Sequence, residues 1–566
     1  MTTKKLTILA TSDIHGKLYP YDYILNQKDR NGSMAQLSTC LKEQYHSEDT
    51  FLVDVGDVIQ GNHAELFQQE PIHPMVQAMN DFHYDIHVIG NHDIDFGMDV
   101  LQTMIHTMNG TVLTGNIYDP TGKPLAPGYR ILTKNGIRVA FIGMTTPLVQ
   151  LWTAKQLEGC TVTSAVEETR KIIDSIKGSY DLLVGVFHMA VDNQLCTPDT
   201  GVTDLAKVCP EFDLIISSHA HKLIEAVDLN GILTVQNASK ANSLIRIEFK
   251  LEETENGYQC VRKTSKAILT KDYEPDQAFL NAYLPYHLRQ IEDISQVIGT
   301  LEGSSLAPDN ELPWMPQSLL QPTALLTLIH DTMIYFSGAR VSAAPLLTAA
   351  ANLQPGPIHK YDLSKIFKYN NDLCLIELNG KQLRQYMEWS CQFFQQWKPG
   401  DLSWYTDAAH PMYNYDMFYG VNYEVDISKP AGSRITNLTW TDGTPVQDEE
   451  VFSLCTTSFR TETVLTRPGE IYTEDQLPVL LEAEIHNELG TIRELIGYYI
   501  QDVMHGILTS RCEDNWELIG TDWDEELHEK ALELLKEDIL KPEQFVDNSR
   551  HSKPITIDDI QAYLDL

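Results

Sequence analysis

The chain has 566 residues, which is too long for one compact core and predicts two or three domains. Its 42 lysine and arginine residues face 79 aspartate and glutamate residues, so the formal net charge is −37. A surface of that sign repels polyanions, which excludes long nucleic acids as partners and disfavours anionic membrane surfaces.

The first half of the chain alternates short apolar runs with amphipathic helical patterns, which is typical of buried strands in α/β or sandwich folds. Six runs are predicted to be strands: residues 6–10, 51–55, 86–89, 139–142, 182–187 and 214–216. Five of them are followed directly by Asp, Asn or His. Open α/β sheets keep their sites just beyond the carboxyl ends of their strands, so these polar residues are the candidate site.

A helical pattern over residues 272–301 and a proline-rich loop predict a linker helix and hinge over residues 271–320. Beyond it, helical patterns (325–336, 382–394), a strand pattern (373–378) and hairpin-like pieces (421–427, 435–440) predict a mixed α+β domain over residues 321–520. The last segment, residues 521–566, is strongly acidic. Its pattern over residues 524–539 predicts an appended helix on the surface, and we treat the segment as an acidic helical tail.

The compartment is predicted from the cysteines and the chain start. The nine cysteines are scattered without a CxxC pair, which predicts reduced thiols rather than disulfides or a cysteine-bound zinc. The apolar run near the start is shorter than the roughly 7–15 residues of a secretory signal, and no run approaches the roughly 18 residues of a membrane span. A cytoplasmic protein is expected, unless a signal has been removed.

The polar residues after the strands make one candidate metal site. Its seven candidate ligands are Asp13, His15, Asp57, Asn91, His188, His219 and His221. Mixed nitrogen and oxygen ligands suit Mn, Fe, Zn, Co or Ni better than Mg or Ca. Seven ligands with one shared carboxylate could hold two divalent cations about 3.5–4 Å apart. Each motif alone could be incidental or a structural histidine, but all five in order predict a dinuclear centre.

The same residues carry a family resemblance. The ordered set SDIHG, GDVIQGN, GNHDIDFG, FHM and SHAH resembles the calcineurin-like metallophosphoesterases, above all the bacterial 5′-nucleotidase and 2′,3′-cyclic-nucleotide phosphodiesterase/3′-nucleotidase group. The resemblance implies a four-layer α/β/β/α catalytic domain over residues 1–270. It implies one cation bound by Asp13, His15, Asp57 and His221. It implies a second cation, bridged by Asp57 and bound also by Asn91, His188 and His219.

His92 and Asp95 match the catalytic His–Asp pair of that family. A His92 kept protonated by Asp95 could donate a proton to the phosphate oxygens or to the leaving alkoxide. The alternative is that Asp95 only caps a helix beginning near Met98.

The second half resembles the substrate-binding domain of the same family. The SAAP block (residues 342–345) looks like the cyclic-nucleotide branch, whereas the 5′-nucleotidase branch has a glycine-rich NGGxR loop there. In this family a base lies between two aromatic rings. Tyr369 matches the first position, with Asn371 available for base or ribose hydrogen bonds, and Phe459 lies near the second. The alternative is that both aromatics are ordinary packing residues. The family's Gly-Gly after the second aromatic is replaced by FRTETVLT, so the pocket loop must differ.

The leading hypothesis is a metal-dependent enzyme that hydrolyses nucleotide phosphoesters through a metal-bridging hydroxide and releases nucleoside and phosphate. The SAAP block favours 2′,3′-cyclic nucleotides or 3′-nucleotides, with 5′-nucleotides next. One alternative is a phosphatase or pyrophosphohydrolase for another small ester, such as a nucleotide sugar. Another is a non-catalytic nucleotide-binding or metal-binding protein, which the complete ligand set disfavours. The predicted partner is a small nucleotide.

Overall fold

The computed structural model describes residues 3–194, 197–255, 257–312, 315–407, 409–486, 489–540 and 554–564. The chain divides into two compact units, Met1–Asp293 and Ile294–Leu566, and this division falls inside the segment predicted to be a linker. The eight cysteines within the described residues are free thiols, and Cys196 lies outside those residues. Of the helices in the described ranges, none is both long enough and apolar enough to cross a bilayer.

The first unit is built mainly from two six-stranded sheets. Its strands are β1 (Thr3–Thr11), β2 (Tyr21–Asp22), β3 (Gln27–Lys28), β4 (Thr50–Asp54), β5 (Ile86–Val88), β6 (Thr111–Leu113), β7 (Ile117–Tyr118), β8 (Tyr129–Lys134), β9 (Ile137–Thr145), β10 (Thr161–Val162), β11 (Leu182–His188), β12 (Leu214–Ser217), β13 (Ile224–Leu229), β14 (Ile232–Gln236), β15 (Ser243–Thr254) and β16 (Gly257–Leu269). Its helices are α1 (Met34–Gln44), α2 (Pro74–Asp81), α3 (Met98–Thr107), α4 (Val149–Trp152), α5 (Ala165–Ile176), α6 (Val202–Val208) and α7 (Gln277–Ile294). The six predicted strands are confirmed, each within a few residues of its predicted ends.

The strand order is β16-β15-β1-β4-β5-β6 in one sheet and β13-β14-β12-β11-β9-β8 in the other. Strands β1, β4, β5 and β6 run parallel, as do β9, β11, β12 and β14. The carboxyl ends of parallel neighbours meet at one edge, so each sheet brings the loops after its central strands together.

Alternate residues of these strands enter different cores, because side chains on a strand point to opposite faces. On β1, Leu6 and Ile8 lie in the core between the two sheets, whereas Leu9 lies in the core with residues of α1, α2 and α3. On β9, Phe141 lies between the sheets and Ile142 lies with residues of α5 and α6. Helices therefore cover both outer faces of the sheet pair, and the predicted α/β/β/α architecture is confirmed.

The second unit is a mixed α+β fold around one hydrophobic core. Its strands are β17 (Val297–Glu302), β18 (Val341–Pro345), β19 (Gly356–His359), β20 (Leu373–Asn379), β21 (Asp416–Tyr419), β22 (Val421–Asp426), β23 (Ile435–Trp440), β24 (Val451–Thr457), β25 (Val479–Glu482), β26 (Ile507–Thr509) and β27 (Trp516–Ile519). Its helices are α8 (Ala324–Ser337), α9 (Leu363–Ile366), α10 (Gly380–Ser390), α11 (Ser458–Arg460), α12 (Ile492–Tyr498), α13 (Glu525–Lys536) and α14 (Ile557–Ile560). The central sheet has the order β21-β18-β24-β20-β25.

Two predicted elements differ from the structure. The helix predicted over residues 272–301 ends at Ile294, and the β-branched run that follows forms β17, which pairs with β19 and β26. The tail helix is not merely a surface addition. Ala531, Leu534 and Leu535 of α13 belong to the core of the second unit, because the apolar face of this amphipathic helix is buried there.

Candidate metal centre

The seven candidate ligands lie at the carboxyl ends of five strands. Asp13 and His15 follow β1, Asp57 follows β4, Asn91 follows β5, His188 ends β11, and His219 and His221 follow β12. Both sheets contribute, since β1, β4 and β5 belong to one and β11 and β12 to the other.

These side chains form two adjoining groups of possible ligand atoms, each group lying within 4.8 Å. The first consists of Asp13, His15, Asp57 and His221. The second consists of Asp57, His188 and His219. Asn91 joins the second group, because its Oδ1 lies 2.8 Å from Nδ1 of His219 and 3.0 Å from Nε2 of His188. Asp57 is common to both groups.

The surroundings of Asp57 fit a cation. Its Oδ2 is buried, and nothing in the described ranges donates a hydrogen bond to it. Nε2 of His188 lies 3.2 Å from this oxygen, while Nδ1 of His188 donates to the Val55 carbonyl at 2.5 Å. Nε2 is therefore the ring nitrogen that is directed at the oxygen atoms of Asp57 and Asn91. Burial lowers the pKa of His188, but Asp57, Asp13 and the Val55 carbonyl together outweigh burial and raise the pKa to about 9, so the site attracts positive charge.

His15 is held in the neutral form that binds metals. Its Nδ1 lies 3.0 Å from Oε1 of Gln60, and its Nε2 lies 2.9 Å from Nε2 of His221. Burial lowers the pKa of His15 to about 3. A polar partner on the outer nitrogen, with the inner nitrogen directed at the centre, is the usual arrangement around a metal-binding imidazole.

The backbone at the site is strained. Five candidate ligands have left-handed backbone, with φ of 52°, 46°, 60°, 70° and 57° at Asp13, His15, Asp57, His219 and His221 respectively. A residue other than glycine in this region costs about 1–3 kcal/mol and persists only where its surroundings enforce it. Such strain concentrates at functional sites.

Two glycines let the strand-end loops approach closely. A Cβ on Gly90 would lie 2.1 Å from Oδ1 and 2.4 Å from the backbone N of Asp57. A Cβ on Gly56 would lie 2.7 Å from Nδ1 of His188. Neither position can accept a side chain without moving a candidate ligand.

Asp93 was missed as a functional residue by the sequence reasoning. Its buried carboxylate accepts backbone hydrogen bonds from Asp57, Val58 and Gly90 at 2.9 Å and from Ile59 at 3.3 Å. It therefore ties the loop after β4 to the loop after β5. The sequence signal was its place in GNHDIDFG, but three of its four amide donors lie on another loop.

His92 lies beside the two ligand groups and is paired with Asp95, with 2.8 Å between Nδ1 and Oδ2. Its side chain is 39% exposed. Burial lowers the pKa of His92, but Asp57 and Asp95 together raise it to about 10, so the ring is protonated at neutral pH. The alternative role of Asp95 is wrong. Helix α3 begins at Met98 with Gly97 as its N-cap, and no side chain caps it.

The candidate substrate residues lie in the second unit. Tyr369 and Phe459 are 51% and 46% exposed, so neither ring lies in the core of the second unit. Asn371 is buried, and its Oδ1 accepts a hydrogen bond from the backbone N of Phe459 at 3.3 Å, so it supports Phe459. The FRTETVLT segment, which replaces the Gly-Gly of the family, is helical, with α11 followed by a π-helical turn at Thr461–Leu465.

Family comparisons agree with the fold and the site. Residues 6–223 match the calcineurin-like phosphoesterase family, and residues 297–463 match the C-terminal domain of 5′-nucleotidase. The two-sheet fold with its histidine and carboxylate groups is thus that of a metallophosphoesterase, a hydrolase that uses divalent metal. The chain belongs to the calcineurin-like phosphoesterases that carry a 5′-nucleotidase C-terminal domain.

Individual relatives cover most of the chain. It is 25% identical to a 2′,3′-cyclic-nucleotide 2′-phosphodiesterase/3′-nucleotidase of Yersinia enterocolitica, over 91% of this chain and 88% of that protein. It is 25% identical to the trifunctional nucleotide phosphoesterase protein YfkN of Bacillus subtilis (strain 168), over 80% of this chain, and spans only 35% of that protein. A Staphylococcus aureus structure, provisionally described as a 5′-nucleotidase, aligns with a TM-score of 0.70 over 91% of this chain and 100% of that one. Its identity of 18% shows a common fold alone.

Proposed function

We propose that this protein hydrolyses nucleotide phosphoesters with the help of two divalent cations. It acts on 2′,3′-cyclic nucleotides and 3′-nucleotides in preference to 5′-nucleotides. The observation that carries the proposal is the pair of ligand groups joined by Asp57, whose buried Oδ2 accepts no hydrogen bond from the described residues. The SAAP block and the activity named for the Yersinia relative support the order of substrates.

The proposed first cation is held by Asp13, His15, Asp57 and His221, and the proposed second by Asp57, Asn91, His188 and His219. Divalent cations there supply positive charge for phosphate oxygens and make water acidic enough to yield hydroxide near neutral pH. The mixture of nitrogen and oxygen donors favours Mn, Zn, Fe, Co or Ni.

His92 is the proposed proton donor. The water oxygen forms a new bond to phosphorus, the ester P–O bond breaks, and Nε2 of His92 gives its proton to the leaving oxygen. The proton released by the attacking water then restores the imidazolium. Asp95 keeps the ring oriented throughout and favours its protonated form before each turnover. A 2′,3′-cyclic substrate passes through this sequence twice, first to a nucleoside monophosphate and then to nucleoside and phosphate.

The proposed base-binding residues are Tyr369 and Phe459. Stacking on an aromatic ring is worth about 1–3 kcal/mol per base and tolerates different bases. Asn371 contributes by holding Phe459, which its buried hydrogen bond supports.

In the proposal the chain is divided into four segments. These are a catalytic domain over residues 1–270, a linker and hinge over 271–320, a substrate-binding domain over 321–520, and the tail over 521–566. The division into two compact units supports separate catalytic and substrate-binding domains. A cytoplasmic location is supported by the free thiols of the eight described cysteines.

The test is a substrate panel with the Mn²⁺-loaded protein. Phosphate and mononucleotide release is measured from 2′,3′-cyclic AMP, 3′-AMP, AMP and UDP-glucose, with Asp57→Asn as the matched inactive control. We expect 2′,3′-cyclic AMP and 3′-AMP to be hydrolysed faster than AMP. Hydrolysis of UDP-glucose alone would favour the alternative of a phosphatase or pyrophosphohydrolase that acts on nucleotide sugars. A metal-loaded protein that turns over none of the four is a binding protein.

The roles of His92 and Asp57 are separated by metal content. His92→Ala should retain both cations and lose about 10²–10⁴-fold in kcat, the range of a lost general acid. Asp57→Ala should lose cations, because both groups share this carboxylate. Elemental analysis and steady-state kinetics give the two readouts, and full activity in either variant contradicts these assignments.

A further inference from the structure

The segment that follows β9 is anchored at both ends beside the proposed second cation site. The backbone N of Thr146 donates to the carbonyl of His188 at 3.0 Å, and Nε2 of Gln156 donates to the carbonyl of Asp95 at 3.4 Å. Between these anchors lies the short helix α4, whose Val149 is fully buried. The segment is thus held in one place relative to the ligands and the His–Asp pair.

Trp152 ends α4 and stacks on His219. The ring centroids are 5.3 Å apart and the ring planes differ by 24°. The His188 ring meets the same imidazole at 66°, also with 5.3 Å between centroids. The His219 ring therefore contacts both an indole face and a second imidazole.

At His219 the Trp152 indole replaces the polar partner that each neighbouring histidine has. His15 has Gln60, His188 has the Val55 carbonyl, and His92 has Asp95 on the nitrogen away from the centre. For His219, Nδ1 faces Asn91, and within the described part of the chain no hydrogen bond reaches Nε2. The indole is the group that sets the plane of this ring.

We propose that Trp152 is a positioning residue for the second cation. It holds the His219 ring with Nδ1 directed at the ligand group, and it attracts that ring more strongly once a bound cation has made the imidazole electron-poor, since indole faces favour positive charge. The inference rests on the proposed function in one respect, the role of His219 as a ligand.

Tryptophan fluorescence reports on the contact directly. Trp152 is the only tryptophan before residue 294, and the other seven of the eight lie in the second unit. Titration with Mn²⁺, a paramagnetic quencher, should reduce the emission of the wild-type protein, and Trp152→Phe should abolish that change. The matched control is Trp523→Phe, since Trp523 stacks on His528 at 4.2 Å in the second unit, and this variant should keep the response. A response that persists in Trp152→Phe overturns the proposal.

Binding of each cation is measured by calorimetry on the same proteins. Trp152→Leu should weaken the second Mn²⁺ by about tenfold, the lower range for loss of a ligand-orienting group, and leave the first unchanged. Trp152→Phe keeps an aromatic face and should recover most of that affinity. Equal second-site affinity in Trp152→Leu and wild type contradicts the inference alone. A wild-type protein that binds fewer than two cations contradicts the proposed function as well. If Trp152→Leu does not fold, the inference is tested by the fluorescence response of Trp152→Phe to Mn²⁺ alone.

Discussion

The charge of His92 is controlled by two carboxylates. Burial lowers the pKa of this ring, and Asp57 and Asp95 raise it to about 10. Bound cations neutralise much of the charge of Asp57, so Asp95 is the neighbour that keeps His92 protonated in the loaded enzyme. The ring donates only below its pKa, and activity is lost as the pH rises through that value.

Asp95→Asn should therefore shift the alkaline limb of the kcat profile to lower pH, because it removes a charge that raises the pKa of His92. The measurement is kcat against pH with a saturating metal concentration. His92→Ala is the control and should show no limb from this group. If the alkaline limb stays at the same pH in Asp95→Asn, the limb reports the titration of a group other than His92.

Asp93 acts through four backbone amides rather than through substrate. Asp93→Asn should weaken cation binding and cost about 3 kcal/mol of stability, because an amide cannot accept all four bonds. Asp181→Asn is the matched control. Asp181 accepts a hydrogen bond from the backbone N of Arg138 at 2.8 Å. It directly precedes β11 and so lies at the end of that strand opposite His188. Its loss should lower stability and leave metal affinity unchanged. Calorimetric metal titration and urea unfolding separate the two effects.

Each ligand predicted from the sequence can be recognised within one short stretch of the chain. A ligand such as His188 is a polar residue directly after an apolar run, and periodicity alone locates such runs. Asp93 and Trp152 leave no such mark, because three of the four amides that bind Asp93 and the imidazole that stacks on Trp152 come from other loops. Asn371 was identified, but its buried bond to Phe459 depends on a contact 88 residues away along the chain.

At the scale of elements, strands buried on both faces were predictable, whereas the end of the helix predicted over residues 272–301 was not. The pattern over residues 272–301 kept its apolar spacing through Val297, where β-branched residues begin β17. The tail helix α13 looked amphipathic in the sequence, yet only the fold could show what its apolar face packs against. That face completes the core of the second unit.

Leu535→Ala in α13 should cost about 2–5 kcal/mol, the range for a buried leucine truncated in a packed core. Glu533→Ala on the exposed face of the same helix is the control. It loses only an ion pair with Lys530 and should change stability by less than about 0.5 kcal/mol. Thermal unfolding of the two variants gives the comparison. Equal midpoints would mean that the tail does not stabilise the second unit.

At the scale of the whole molecule, the ligand groups and the tail helix belong to different units with separate cores. A cation that binds only the folded first unit should stabilise that unit alone. At a free Mn²⁺ concentration 100 times Kd, the gain is about 2.7 kcal/mol per site. Scanning calorimetry with and without chelator should show one transition that moves and one that stays. In Asp57→Asn both should stay. A single transition that moves with Mn²⁺ in the wild type would show that the units unfold as one.

The left-handed backbone of five candidate ligands has a consequence for the descent of this fold. Glycine would relieve the strain at each of those positions and would remove a ligand at the same time. Selection for stability and selection for catalysis therefore act in opposite directions at Asp13, His15, Asp57, His219 and His221. In a lineage that no longer needs the activity, these positions should drift toward glycine well before the buried strands change. An inactive descendant would then be more stable than its active ancestor.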